Sequence, residues 1–547
     1  MEPEKFSSLI KSINSGELSV VKFYSNSFSS IQESELAKEL ANSNSVKELH
    51  FLNGFADLNF LRLILSAVNG KNSIVSLSII IPDIFKYYEE WTSTFPLIIQ
   101  QIKNLENLAH FKLTDLEFDE NMIKTFIDSV VLMPNLTELT LDNAKIPNAF
   151  LPYLAKIIQS NITLKALNIS NNYISQHNGV VSLAKALSQN NTLLSFNYSS
   201  RLEKALSKQH DVTAFLEAIS LNNSLTTITL DGFRIEKEGT PLLAQWIKNN
   251  NTIKNLSLEA CRIAVSIFLK AISHNSSLKS LSLEANPISE SDEEVIAGEI
   301  KNNTSLTRLS LRTTNLSNRG ISLISQALHD NHSIQILDLS NNNIGNEGIR
   351  AFARMLETNK TLTSVNLDLN PFDSVGAEFL FQALKKNKKL AVLQLPIKNI
   401  TRDLRVSILS EIKLHIQLER AIQLAIVFAQ AKGQNYILNE SGTHENYFKS
   451  LPVQLLFLIF NIATKELDLS KTSLNKASIF NKVFTKINGD EKRDKKVAEL
   501  EYESKKEINS NKKRNNVRTL FSQEVKMPQN NDSTEDIVLS PNLSTSN

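Results

Sequence analysis

The stretch from Ile334 to Asn342 reads Ile-Gln-Ile-Leu-Asp-Leu-Ser-Asn-Asn, with Ile344 two places on. Apolar side chains fall at frame positions one, four, six and eleven, and an amide falls at position nine. The same frame opens at Leu306, Leu362 and Leu390, so four successive starts are each 28 residues apart. A unit of this length cannot bury its own apolar face, but stacked copies bury it jointly. The fold class this implies is α/β: a solenoid of strand-plus-helix repeats.

The frame extends well beyond these four units. Earlier starts fall at Leu18, Val46, Ile74, Leu108, Leu136, Leu164, Leu193, Leu225, Ile253 and Leu278. That makes about fourteen units of about 28 residues. The exceptions are intervals of 34 after Ile74, 29 after Leu164, 32 after Leu193 and 25 after Ile253. The strand frame resumes after each, so extra or missing residues are expected in loops.

Each unit has two halves. The first alternates, as in Leu281 and Leu283 after Leu278, which is the period of a strand with one buried face. The second has helical spacing, as in Gly348, Phe352, Met355 and Leu356, or Gly179, Leu183, Ala186 and Leu187. Asn-Asn-Thr at 250–252 and 302–304 closes a helix and opens the next strand. Short polar side chains suit such turns because they hydrogen-bond the local backbone. The many Asn-x-Ser/Thr sequons fall at these turns and are read as turn chemistry.

The recurring Leu-x-x-Leu-x-Leu-x-x-Asn-x-Ile pattern resembles that of leucine-rich repeat proteins of the ribonuclease-inhibitor-like class. The resemblance covers residues 18–416 and implies a horseshoe with a concave parallel sheet and convex helices. That class hosts inhibitors, GTPase activators, immune receptors and bacterial effectors, so the resemblance speaks for fold and not for a partner.

Composition narrows the function classes. The chain has 547 residues, 41% hydrophobic and 21% charged, with a net charge of +2. No global field argues for nucleic acid. A single cysteine, Cys261, excludes a disulfide framework and favours a reducing, cytoplasmic setting. The opening Met-Glu-Pro-Glu-Lys lacks the pattern of a secretory signal. The longest apolar stretch, 451–463, is too short to span a bilayer, so no integral membrane segment is expected.

Catalytic chemistry finds little footing. The nine histidines form no His/Cys cluster at ligand spacing, and no phosphate-binding Gly-x-x-x-x-Gly-Lys-Ser/Thr loop occurs. Cys261 falls at the ninth frame position, where the repeat pattern accepts Asn or Cys and the side chain bonds backbone. It is read as a turn residue. Some bacterial leucine-rich repeat effectors carry a cysteine-dependent ubiquitin ligase domain; with no cysteine outside the repeats, that activity is not expected. The expectation is a non-enzyme without cofactor, catalytic residue or metal site.

The binding candidates lie on the exposed sheet face. Frame positions three, five and seven point outward. The fifth column is small and polar through the middle: Asn168, Asn197, Thr229, Ser257, Ser282, Ser310. The seventh reads Asp231, Glu259, Glu284 and Arg312 in consecutive units, with Asp142 and Asp368 further out. Arg312 is placed to pair with Glu284, and Arg308 shares the face. The acids form a candidate strip for a basic protein partner. In the first three units the seventh position is apolar, with Tyr24, Leu52 and Ile80. This is either a contact surface or a face covered by the N-terminal segment or by the inserted stretch 87–95.

The ends read differently. Residues 1–17 carry Phe6, Leu9, Ile10 and Ile13 at helical spacing and suggest a helical cap. Residues 417–485 suggest a helical C-terminal cap, and 486–547 a charged, largely disordered tail. Within the former, Leu451, Pro452, Leu455 and Ile459 resemble the opening of an F-box. The family's later Cys and Trp are missing, and the segment follows the repeats. The polar tail resembles the export signals of type IV secreted effectors. Taken together, the chain is expected to be a protein-binding scaffold, in the reading preferred here a secreted effector of an intracellular bacterium acting in host cytosol. The alternatives are a ubiquitin-ligase adaptor through 451–484 and a GTPase activator of the Ran-activating type, whose acidic tail this chain lacks.

Overall fold

The computed structural model describes residues 2–413 apart from 25–27, 53–57, 81–87, 117, 147–149, 173–176, 200–208 and 274. The C-terminal cap, the F-box-like stretch at 451–484 and the tail therefore lie outside the described residues. The repeats through Asn387, with Val392–Thr401, belong to one compact unit. Lys388–Ala391 and the helical residues 402–413 belong to a second.

The strands are β1 (Val20–Tyr24), β2 (Glu48–Leu52), β3 (Ser76–Ile80), β4 (His110–Thr114), β5 (Glu138–Thr140), β6 (Ala166–Asn168) and β7 (Ser195–Asn197). They continue as β8 (Thr227–Thr229), β9 (Asn255–Ser257), β10 (Ser280–Ser282), β11 (Arg308–Ser310), β12 (Ile336–Asp338), β13 (Ser364–Asn366) and β14 (Val392–Gln394). All fourteen lie in one sheet in sequence order. Every strand begins at the third frame position, and each neighbouring pair is parallel with frame position matched to frame position, as in Ser282↔Ser310. Stacked strands lie about 4.8 Å apart, whereas packed helices need about 8–10 Å. Each repeat is therefore a wedge, and the sheet takes the concave side.

Frame positions four and six supply the core between sheet and helices. Leu281, Leu283, Leu309, Leu311, Leu337 and Leu339 are all buried. Towards the N-terminus aromatic rings replace leucines: Phe23 stacks on Phe51 at 4.7 Å and meets Phe60 edge-on at 5.5 Å. The helix Pro3–Ser15 buries Phe6, Leu9 and Ile13 and packs on the helix Ser30–Asn42; Ile10 is only half-buried.

Two sets of buried asparagines tie many of the repeats to the one before. At the helix ends, Asn275 Oδ1 accepts the backbone N–H groups of Ser277 (3.0 Å) and Leu278 (2.8 Å). Its Nδ2 donates to the carbonyls of Ile247 and Asn250 in the preceding repeat, both at 2.7 Å. Asn222, Asn303, Asn331, Asn359 and Asn387 likewise donate to the preceding helix. Several of these are the sequon asparagines, and their amides are occupied inside the turns. The second set is the ninth frame position. Asn342 Nδ2 donates to Leu311 and Leu339 carbonyls at 2.8 and 3.0 Å. Its Oδ1 accepts from Thr314 and Leu316 N–H, each at 3.0 Å.

The turn after each strand has a fixed shape. Asp115, Asn143, Asn171, Gly232, Ala260, Ala285, Thr313, Asn341 and Leu369 all have positive φ, and all occupy the eighth frame position. One expectation needs correcting. The irregular intervals are not absorbed by loops alone. The 25-residue unit has an eight-residue helix, Val265–Ile272, where regular units such as Asn318–Asp330 have thirteen residues. The 34-residue unit has a sixteen-residue helix, Tyr88–Lys103. The strands stay in register because the sheet ladder is continuous, while a helix changes length by a turn at lower cost.

Candidate functional site on the sheet face

The ladder does not stop at the strand ends. Beyond β8–β12 the backbone bonds continue as Gly232 N–H to Glu259 O, Ala260 N–H to Glu284 O and Ala285 N–H to Arg312 O. Thr313 N–H to Ser340 O and Asn341 N–H to Asp368 O extend the run. Frame position seven is therefore one row: Asp231, Glu259, Glu284, Arg312, Ser340, Asp368. The five charged residues are half-buried and Ser340 is buried. The register brings together the four consecutive charged residues read as a strip.

The row has internal chemistry. Asp231 Oδ1 accepts from Ser257 Oγ at 2.6 Å and from the Glu259 N–H at 2.8 Å. Desolvation nevertheless raises its pKa, partly opposed by those two bonds. Glu284 is also raised, first by burial and then by the negative charge of Glu259, against the lowering effect of Arg312. Arg312 Nε lies 2.8 Å from Glu284 Oε1. Arg308 is exposed on β11 and makes no ion pair with Glu284.

Asp338 was not singled out in the sequence, although it stands in the very stretch that carries the frame. It ends β12 at the fifth frame position, and its charge also reaches Glu284. Its Oδ1 accepts from Ser340 N–H and Oγ at 2.9 and 2.6 Å, and its Oδ2 accepts from Asn366 Nδ2 at 3.0 Å. The signal was available: an acid in a column otherwise Ser, Thr or Asn from β5 to β13.

The remaining candidates are more scattered. Asp142 accepts from Asn171 Nδ2 at 2.7 Å, three repeats before Asp231. Asp368 accepts its neighbour's N–H, from Leu369, at 2.8 Å. Tyr24 and Leu52 are register partners across β1 and β2, and Ile80 ends β3; all three are half-buried. The inserted Trp91 and Phe95 lie in the helix Tyr88–Lys103 and are buried, with Phe95 edge-on to Phe118. They belong to the core. A second polar patch went unread: His50 Nε2 lies 3.0 Å from Glu48 Oε2, and His110 Nδ1 lies 2.9 Å from Glu138 Oε2.

Cys261 is fully buried at the ninth position. Its Sγ donates to the Leu230 carbonyl at 3.1 Å, the bond an asparagine makes in other repeats. Burial pushes the thiol well above its ordinary pKa, and the charge of Asp231 adds to the effect. Among the described residues no His/Cys/Asp/Glu group is arranged to hold a metal ion, and no helix is long and apolar enough to cross a membrane. What the row presents chemically is a set of half-desolvated carboxylates, suited to receive ammonium or guanidinium groups.

A parallel sheet of frame-matched strands, backed by helices and sealed by asparagine ladders, defines a leucine-rich repeat protein. The family model described as the MHP1/HER1/GIP3 LRR domain matches residues 104–398, more than half of the chain, and the chain belongs to that family. No curated protein matches the sequence. Among solved structures, an internalin (inlF) from Listeria monocytogenes is similar at 15% identity and a TM-score of 0.36, over 71% of this chain and 93% of that one. The actin-binding site 2 of leiomodin-1 is 19% identical with a TM-score of 0.27, over 30% of this chain and 95% of its own. The tropomodulin C-terminal domain of Caenorhabditis elegans is 12% identical with a TM-score of 0.26, over 29% and 98%.

Proposed function

We propose that this chain is a non-enzymatic scaffold that holds a protein partner against the concave sheet face. Asp231, Glu259, Glu284 and Asp338 receive basic side chains of that partner, and Asp142 and Asp368 extend the surface. The observation that carries this reading is the state of the row. Asp231 and Glu284 stay on an open face although burial raises both, and Arg312 offsets only part of the charge. Stacked like charges subtract stability unless paired. A cationic partner removes that penalty on binding and gains specificity and association rate from it.

The test is paired affinity capture from a lysate with the full chain and with Asp231→Lys/Glu259→Lys. The double variant is expected to keep its melting temperature and lose the captured species. Identical captured species from a folded variant would contradict the reading. The preferred setting, a translocated bacterial effector, rests on the polar tail; a translocation reporter fused to the last thirty or so residues is expected to be exported, and retention of the reporter would remove that setting.

A further inference from the structure

The eighth frame position is small or polar through most of the sheet: Asp115, Asn143, Asn171, Gly232, Ala260, Ala285, Thr313, Asn341. At the last two repeats it becomes Leu369 and Ile397. These lie three residues beyond the paired Asn366↔Gln394 on β13 and β14. Leu369 is 59% exposed and Ile397 66%. Leu369 also holds φ +58°, a conformation in which asparagine or glycine is at ease and leucine is not. An aliphatic side chain is thus placed on the rim, in solvent, against local backbone preference. The rim continues the acidic row directly: Asp368 precedes Leu369, and Asp338 lies one repeat earlier.

We infer that Leu369 and Ile397 form the apolar end of the docking surface, and that its occupant is a partner segment with a basic cluster followed by an aliphatic or aromatic anchor. The inference rests on the reading of the acidic row given above. Glu284 and Leu369 are three repeats apart, roughly 14 Å at about 4.8 Å per strand. An extended segment covers that span in about four residues. Charge complementarity with Asp231, Glu259, Glu284 and Asp338 sets the basic part. The anchor shields the rim side chains from water, and that burial is what an apolar contact contributes.

The experiment uses the full chain and a fluorescein-labelled peptide of three arginines, a four-residue Gly/Ser spacer and two leucines, read by fluorescence anisotropy. Replacing the peptide's leucines by serines is expected to weaken binding about tenfold, as is Leu369→Asn with Ile397→Asn in the protein. Asparagine suits the backbone at 369, so a loss there is not a loss of fold, and the melting temperature checks this. If the Asn variants bind like the parent while Asp231→Lys/Glu259→Lys abolishes binding, the apolar anchor is wrong and the acidic row stands. If neither set of changes moves the affinity, both fall. A concentration-dependent dimer in sedimentation that Leu369→Asn abolishes would assign the rim to a second copy of this chain and overturn the proposal.

Discussion

Cys261 stands where Asn172, Asn286, Asn342 and Asn370 stand in other repeats, and its thiol spends its proton on the Leu230 carbonyl. A buried thiol with a raised pKa carries almost no thiolate at neutral pH. The native chain is therefore expected to show no thiol reactive to Ellman's reagent at pH 8, and one per chain in denaturant; a reactive native thiol would refute the assignment. Ala285 illustrates a different residue-scale effect. At φ +55° its Cβ is crowded, and glycine relieves that at some entropic cost in the unfolded chain. Ala285→Gly is expected to stabilise by about 1 kcal/mol in urea unfolding; destabilisation would show that the turn draws on the Ala285 methyl.

At the scale of elements, the helix-end asparagines do more than close a turn. Asn331 bonds two carbonyls of the preceding repeat, Ile300 and Asn303, both at 2.8 Å, while accepting from Ser333 and Ile334. Asn331→Ala leaves those buried groups without partners, and a loss of roughly 2–4 kcal/mol is expected in denaturant titration. A loss below about 0.5 kcal/mol would mean that water replaces the amide. Strand placement was legible because a period-two pattern at a constant interval leaves one register. The local half of the asparagine chemistry was legible too, since Asx turns are contiguous. The bonds to the preceding repeat were not, because they join residues 25–35 apart in sequence. Helix length was misjudged for a related reason: the frame marks strands, and nothing in it marks where the helix takes up a deletion.

For the whole molecule, the acids at 231, 259 and 284 become one site only through the stacking of repeats. The repeat frame alone aligns them. Asp338 stands in the fifth column, outside the charged seventh, and the desolvation of Asp231 is not encoded in the spacing at all. Its sign has consequences. A carboxyl whose folded pKa is raised binds its proton more tightly when folded, so it subtracts stability above that pKa, and the loss is relieved as pH falls through it. Asp231→Asn keeps an acceptor for Ser257 and is expected to melt at or above the parent temperature at pH 7. The difference should shrink as the pH falls towards the carboxylate range; a variant less stable at pH 7 would contradict this. Partner binding has the opposite dependence, because protonating Asp231 and Glu284 removes the charge the partner meets.

The most direct measurement is carboxyl footprinting of the full chain, by carbodiimide coupling to an amine, free and in complex with whatever the chain captures. Labelling at Asp231, Glu259, Glu284 and Asp338 is expected to fall in the complex, while exposed helix-side acids such as Glu378 keep theirs. Unchanged labelling of the row, with protection on the helices instead, would contradict the account.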